Sequence, residues 1–160
     1  MRRPQIAVAA LALVVACSGP SATHKTPTGL PAPNRTLTPG ETIPGVTAAQ
    51  VCTKGWAGAH RNVPVAEKKA VFLAYGADWA KRSLYEVDHL ISLELGGTNS
   101  TRNLWPQVMT ENDPKHPPDK DALENHLHAL VCAGKVPLGV AQKAIAKDWV
   151  AAYARYMVLK

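Results

Sequence analysis

Several common enzyme signatures are missing from this chain. It has no Gly-rich phosphate loop, no dinucleotide fingerprint and no Ser/His/Asp order, which leaves P-loop, nicotinamide and triad-hydrolase chemistry without a basis. No Cys-x-x-Cys and no close Cys/His pairing accompanies Cys52 or Cys132, which argues against a zinc site. A zinc finger, a helix-turn-helix signature and a long basic helix are also absent, so the chain carries no base-reading module. Beyond its first residues it shows no repeat and no apolar run long enough to cross a bilayer.

What is present begins with a leader. Met1-Arg-Arg is positive, Ile6 to Ala16 is an uninterrupted small and aliphatic run, and Cys17 closes it. Eleven residues are too few for a spanning helix and suit a signal-peptide core. Val14-Val-Ala-Cys17 resembles the lipobox of bacterial lipoproteins, in which the cysteine is acylated and becomes the mature N-terminus; ordinary signal-peptidase cleavage is the alternative. Either route predicts an exported protein, membrane-anchored through a lipid at Cys17 on the periplasmic or extracellular face, or else secreted. Cys52 and Cys132 then remain as an even pair in an oxidising compartment, where a disulfide is expected. Removing Arg2 and Arg3 from the formal charge of +6 leaves +4, a moderate excess that favours a polyanion without identifying one.

Residues 17–45 form a Pro-rich tether in this reading, since six of the thirteen prolines fall between 18 and 45 and no apolar period is sustained there. An ordered domain over 46–160 follows. Thr47 caps a short helix to Cys52, and Gly55-Trp-Ala-Gly makes a turn. A helix opening at Pro64 turns Val65, Val71, Phe72 and Tyr75 inward and stops at Gly76. Leu84 to Leu95 reads as a strand running into a loop, broken at Gly96-Gly97, and Asn103-Leu-Trp-Pro pairs back as a second strand. Asp119 to Ala133 is a helix with Leu123, Leu127, Leu130 and Val131 on one face. A further helix from Leu138 to Met157 packs Val140, Ala144, Ala151 and Ala154.

Chemistry concentrates at Asp88 and His89. A carboxylate can hold a hard cation, and an imidazole titrates where a base is useful near neutrality. Neighbours on a regular strand point to opposite faces, so the two act together only if the backbone turns there.

Tyr85-Glu-Val-Asp-His-Leu-Ile-Ser-Leu-Glu-Leu-Gly-Gly-Thr-Asn-Ser-Thr-Arg-Asn-Leu-Trp-Pro-Gln107 resembles the HNH endonuclease motif of the ββα-metal nuclease superfamily. The resemblance covers residues 84–125, and the flanks are similar to an exported bacterial HNH-like group. It implies an α+β fold, a small ββα-metal core with flanking helices stapled by the disulfide. It also implies that Asp88 binds the metal, that His89 is the general base, and that Asn103 orients His89 or fixes the turn carrying it.

The third motif position falls on Asn112, 24 residues after Asp88, with His116 as the rival ligand. Asp and Asn oxygens would favour Mg²⁺ or Mn²⁺, and recruitment of His116 would favour Zn²⁺ or Ni²⁺. Arg61, Arg82, Arg102, Lys115 and Lys120 are the basic residues considered for phosphates, with Arg102 and Lys115 preferred because they adjoin motif positions. The implied activity is metal-dependent hydrolysis of nucleic-acid phosphodiesters at low sequence specificity, DNA favoured over RNA. The rival reading is an inactive envelope lipoprotein that uses the fold for binding. A toxin role would add an immunity protein as partner, for which the residues offer no pattern.

Overall fold

The strand signal between Leu84 and Leu95 divides into a five-residue strand and a loop. The computed structural model describes residues 24–25, 31–109 and 119–159. Two short strands, β1 (His24–Lys25) and β2 (Pro31–Ala32), pair antiparallel near the start. Helices α1 (Ala48–Val51), α2 (Trp56–His60) and α3 (Val65–Ala74) follow. A 3₁₀ turn over Trp79–Leu84 leads into β3 (Tyr85–His89), and β4 (Leu104–Val108) returns antiparallel to it, with Asp88 opposite Trp105 and His89 opposite Leu104. Helices α4 (Lys120–Cys132), α5 (Leu138–Lys147) and α6 (Trp149–Tyr156) complete an α+β fold.

Local chemistry sets the boundaries. Thr47 and Gln50 form a reciprocal capping box on α1, satisfying backbone donors that the first helical turn leaves open. Asp119 accepts from the Ala122 amide to start α4. The expected single helix from Leu138 to Met157 is two helices, because Asp148 adopts an extended backbone and caps α6 through the Ala151 amide. That break rotates the buried face. Ala141, Ile145, Trp149, Ala152 and Tyr156 enter the core, whereas Val140 is 45% exposed and Ala151 and Ala154 face solvent.

Two apolar cores flank the β3–β4 hairpin. Val71, Tyr75, Leu90, Leu104 and Trp105 form one. The larger one gathers Val51, Ile91 and Leu95 with residues of α4, α5 and α6, among them Leu123, Leu127 and Ile145. Leu90 and Ile91 are consecutive, so the chain leaving β3 sends one side chain into each core.

The Pro-rich segment is tied to the domain earlier than its composition suggests. Thr38 is fully buried, with its hydroxyl against the Tyr75 hydroxyl at 2.7 Å and donating to the Leu104 carbonyl at 2.8 Å. Gly40 N–H donates to the Arg102 carbonyl and Ile43 N–H to the Gly96 carbonyl. From Asn34 to Ile43, then, the chain is a strap over the hairpin, in place of the tether expected through residue 45. Proline-rich composition predicts few backbone donors, not the absence of tertiary partners.

The expected disulfide is present. Cys52 and Cys132 join the end of α1 to the end of α4 across 80 residues, a loop whose closure is worth about 4 kcal/mol on the chain-entropy account. The double variant Cys52→Ser/Cys132→Ser should lose about that much stability in urea unfolding. A loss below about 1 kcal/mol would show that the packing of α1 on α4 already imposes the constraint.

Candidate functional site

The loop between β3 and β4 is organised by one side chain. Asn103 is fully buried, and its Oδ1 accepts from the Ile91 amide at 3.0 Å and the Glu41 amide at 3.3 Å. Its Nδ2 donates to the carbonyls of Ile91 and Thr98, each at 2.9 Å. The loop can close this tightly because residue 97 is glycine: a Cβ there would lie 1.8 Å from the Ile91 carbonyl oxygen. Asn103 therefore ties together the loop that follows His89 and makes no hydrogen bond to the imidazole.

The partner of the imidazole is Asn99. His89 is buried, and its Nε2 lies 2.9 Å from Asn99 Oδ1, while Asn99 Nδ2 donates to the His60 carbonyl at 2.8 Å. The His60 carbonyl only accepts, so the Asn99 amide nitrogen must face it and the amide oxygen must face His89. Nε2 then carries the proton and Nδ1 keeps its lone pair. Burial lowers the His89 pKa below the ordinary histidine value, with the Lys120 and Arg61 charges acting in the same direction against Asn99 and Asp88. The ring is thereby held neutral, the form in which Nδ1 can accept a proton.

Asp88 faces α4. Its Oδ2 accepts from the Lys120 ammonium at 2.7 Å, and the same ammonium donates to the His89 carbonyl at 2.6 Å and to Glu124 one helical turn further on. A lysine at the first position of a helix opposes the helix dipole, yet this one is completely buried. Its three partners explain the placement, since they match the three donors of an ammonium group.

Asp88 and His89 both line one cavity of about 270 Å³. The strand ends at His89, which meets the condition for these neighbours to share a site. The other carboxylates around it are Glu86, Glu94, Asp121 and Glu124, with Arg61 as the lining cation. Burial and then the Asp88 charge raise the pKa values of Glu86 and Asp121. Burial also raises Glu124, to about 8, with Asp88 adding to the rise against the pull of Lys120. The Ser92 hydroxyl is buried at the cavity wall without a hydrogen-bond partner among the described residues. Crowded carboxylates, an orphaned hydroxyl and a neutral imidazole are donors of the kind a hard divalent cation takes, but among the described residues no three carboxylate or imidazole ligand atoms at this cavity converge closely enough to hold one. One Asp88 oxygen is also already engaged by Lys120.

No family model, curated protein or solved structure matches the chain.

The remaining sequence candidates fall into four groups. Asn112, Lys115, His116 and Cys17 lie outside the described residues. Arg102 is exposed and ion-paired with Glu41 at 3.3 Å, and it is not among the residues around the cavity. Lys120, weighed as a phosphate ligand, is interior and saturated by Asp88, Glu124 and a carbonyl; its spacing of four from Glu124 is the sequence signal for that pairing. Arg61 is the described cation that does reach the cavity.

Contrary to the expectation that no close Cys/His pairing accompanies either cysteine, one is formed. His128 sits one helical turn before Cys132, and one ligand atom from each of Cys52, His128 and Cys132 falls within 4.8 Å of the others. With the two sulfurs bonded to each other, the group offers no thiolate to a metal.

Proposed function

We propose that this protein is a divalent-metal-dependent endonuclease with an HNH-like ββα core, hydrolysing nucleic-acid phosphodiesters with low sequence specificity outside the cytoplasm. The observation that carries the reading is His89, a buried neutral imidazole whose proton Asn99 confines to Nε2, set on the wall of a carboxylate-lined cavity that includes Asp88. In this reading Nδ1 of His89 takes a proton from the attacking water. Asp88, with Asn112 as the proposed second ligand and His116 as its rival, would hold a Mg²⁺ or Mn²⁺ ion that neutralises charge developing on the phosphate. Asn103 and Gly97 keep the loop closed so that the imidazole stays at its station. Arg61 is the described candidate for holding the phosphodiester, with Arg102 and Lys115 kept as the motif-adjacent candidates. The disulfide accords with an oxidising compartment, as export and lipid attachment at Cys17 would require.

A second reading has one specific observation in its favour. Lys120 neutralises Asp88 from inside the fold, as would suit an envelope lipoprotein that keeps the fold for binding. Plasmid nicking by the disulfide-intact protein separates the two. Nicking with Mg²⁺, Mn²⁺, Zn²⁺ or Ni²⁺ that stops on adding EDTA is the expected result. Intact plasmid under all four ions would decide for the binding protein.

A further inference from the structure

On its other side His89 borders a groove of opposite character. About 770 Å³ in volume, it runs between α3, the 3₁₀ turn and β3, and Arg61, Lys68, Lys69 and Arg82 line it against one carboxylate, Glu86. Arg61, Glu86 and His89 belong to both the groove and the acidic cavity, so the two meet where the imidazole sits.

The groove wall is aromatic as well as basic. Phe72 is buried and meets Trp79 and Tyr85 edge-on, with ring centroids 5.1 and 5.6 Å away and both interplanar angles 84°. Trp79 and Tyr85 remain half-buried. The Lys69 ammonium and the Arg82 guanidinium stand over the Trp79 ring, 5.8 and 5.4 Å from its centre. Arg82 also donates to the Trp79 carbonyl at 3.3 Å, which keeps its charge beside the ring.

We propose that this groove binds a single nucleic-acid strand, with one unstacked base taking the place of a cation over Trp79 and the neighbouring phosphates held by Lys69, Arg82, Lys68 and Arg61. The inference rests on the nuclease reading and deepens it by naming the form of the substrate. Every base has a π-face, so an aromatic platform flanked by cations holds a strand without reading its sequence, in keeping with the absent base-reading module. A stacked duplex turns its base faces away from protein and gives such a platform nothing to hold. The shared Arg61 and His89 would then place the strand's backbone at the edge of the acidic cavity.

The test is fluorescence anisotropy of a labelled mixed-sequence oligonucleotide, single-stranded or annealed, titrated with the disulfide-intact protein in EDTA so that nothing is cleaved. The single strand should bind more tightly than the duplex. Trp79→Ala should weaken its binding roughly 5- to 100-fold, the range expected for loss of one base stack, and Trp79→Phe should restore most of it. Arg82→Glu should also weaken binding and flatten its salt dependence, and it keeps the test decisive should Trp79→Ala fail to fold. Wild-type affinity in either folded variant, Trp79→Ala or Arg82→Glu, would overturn the groove, and so would duplex binding at least as tight as the single strand's. Binding of anionic phospholipid vesicles through Trp79, with none of the oligonucleotide, would overturn it in favour of a lipid contact. The nuclease reading fails separately, with divalent-dependent cleavage of the same labelled single strand as its readout: cleavage with unaltered Trp79→Ala binding sinks the groove alone, and Trp79-dependent binding without cleavage sinks hydrolysis alone.

Discussion

Replacing His89 by alanine should lower divalent-dependent nicking by about 10²- to 10⁴-fold, the usual worth of a positioned general base. Asp88 and the Asn103-held loop stay in place in this variant, so the loss should appear in turnover rather than in strand affinity. The pH profile gives a second readout. Burial keeps the folded His89 pKa below the ordinary value of 6.5, so Nδ1 is available at neutrality and protonates only in acid. The acid limb of the wild-type rate should therefore fall below pH 6.5 and be missing from the residual rate of His89→Ala. Equal nicking by variant and wild type, or a limb above pH 7, would remove His89 from the role of base.

Lys120→Met should destabilise the fold by about 3–5 kcal/mol at neutral pH, the cost of leaving buried charge without its partner. Burial alone would pull the ammonium down, but Asp88 and Glu124 outweigh it and hold its pKa above the ordinary lysine value. The wild-type contribution is therefore complete below that value and is lost only as pH rises through the folded one. In the variant Glu124, already raised to about 8 by burial, loses the Lys120 charge that pulls it down and is raised further. The variant's deficit should then deepen as pH rises through about 8, where the wild-type Glu124 ionises beside Lys120 and the variant's stays protonated. Urea unfolding between neutrality and about pH 10 measures this, and Lys120→Met/Glu124→Gln should recover part of the loss. A pH-independent change below about 1 kcal/mol would show that the ammonium is not what balances Asp88.

The helices with strong periodicity were legible from residues alone. α4 presents Leu123, Leu127, Leu130 and Val131 inward as its spacing predicts, and Phe72 and Tyr75 likewise mark the inner face of α3. Asp148 was harder to read, because an aspartate inside a helical pattern becomes a cap only when the backbone bends for tertiary reasons. At the site, Asp88, His89 and Asn103 stand out through their residue types and their places around Gly96-Gly97. Asn99 and Lys120 do not. Asn99 matters through the carbonyl of His60, 39 residues away, and Lys120 through Asp88, 32 residues away, and no local pattern encodes contacts at that range. Charge misled in a consistent direction, since lysines are so rarely interior that Lys120 reads as surface until its three partners are in view.

Leu90 and Ile91 give the site two landlords. Because consecutive residues after His89 anchor in separate cores, the imidazole answers to both at once. A void opened at Val71 on one side or at Ile145 on the other pulls the same short stretch of backbone, and interiors this dense pass such shifts along rather than absorb them. On the proposed mechanism, aliphatic positions with no polar chemistry of their own are thus constrained by proton transfer as well as by packing. Variation tolerated by either core alone is narrowed to what the two tolerate jointly.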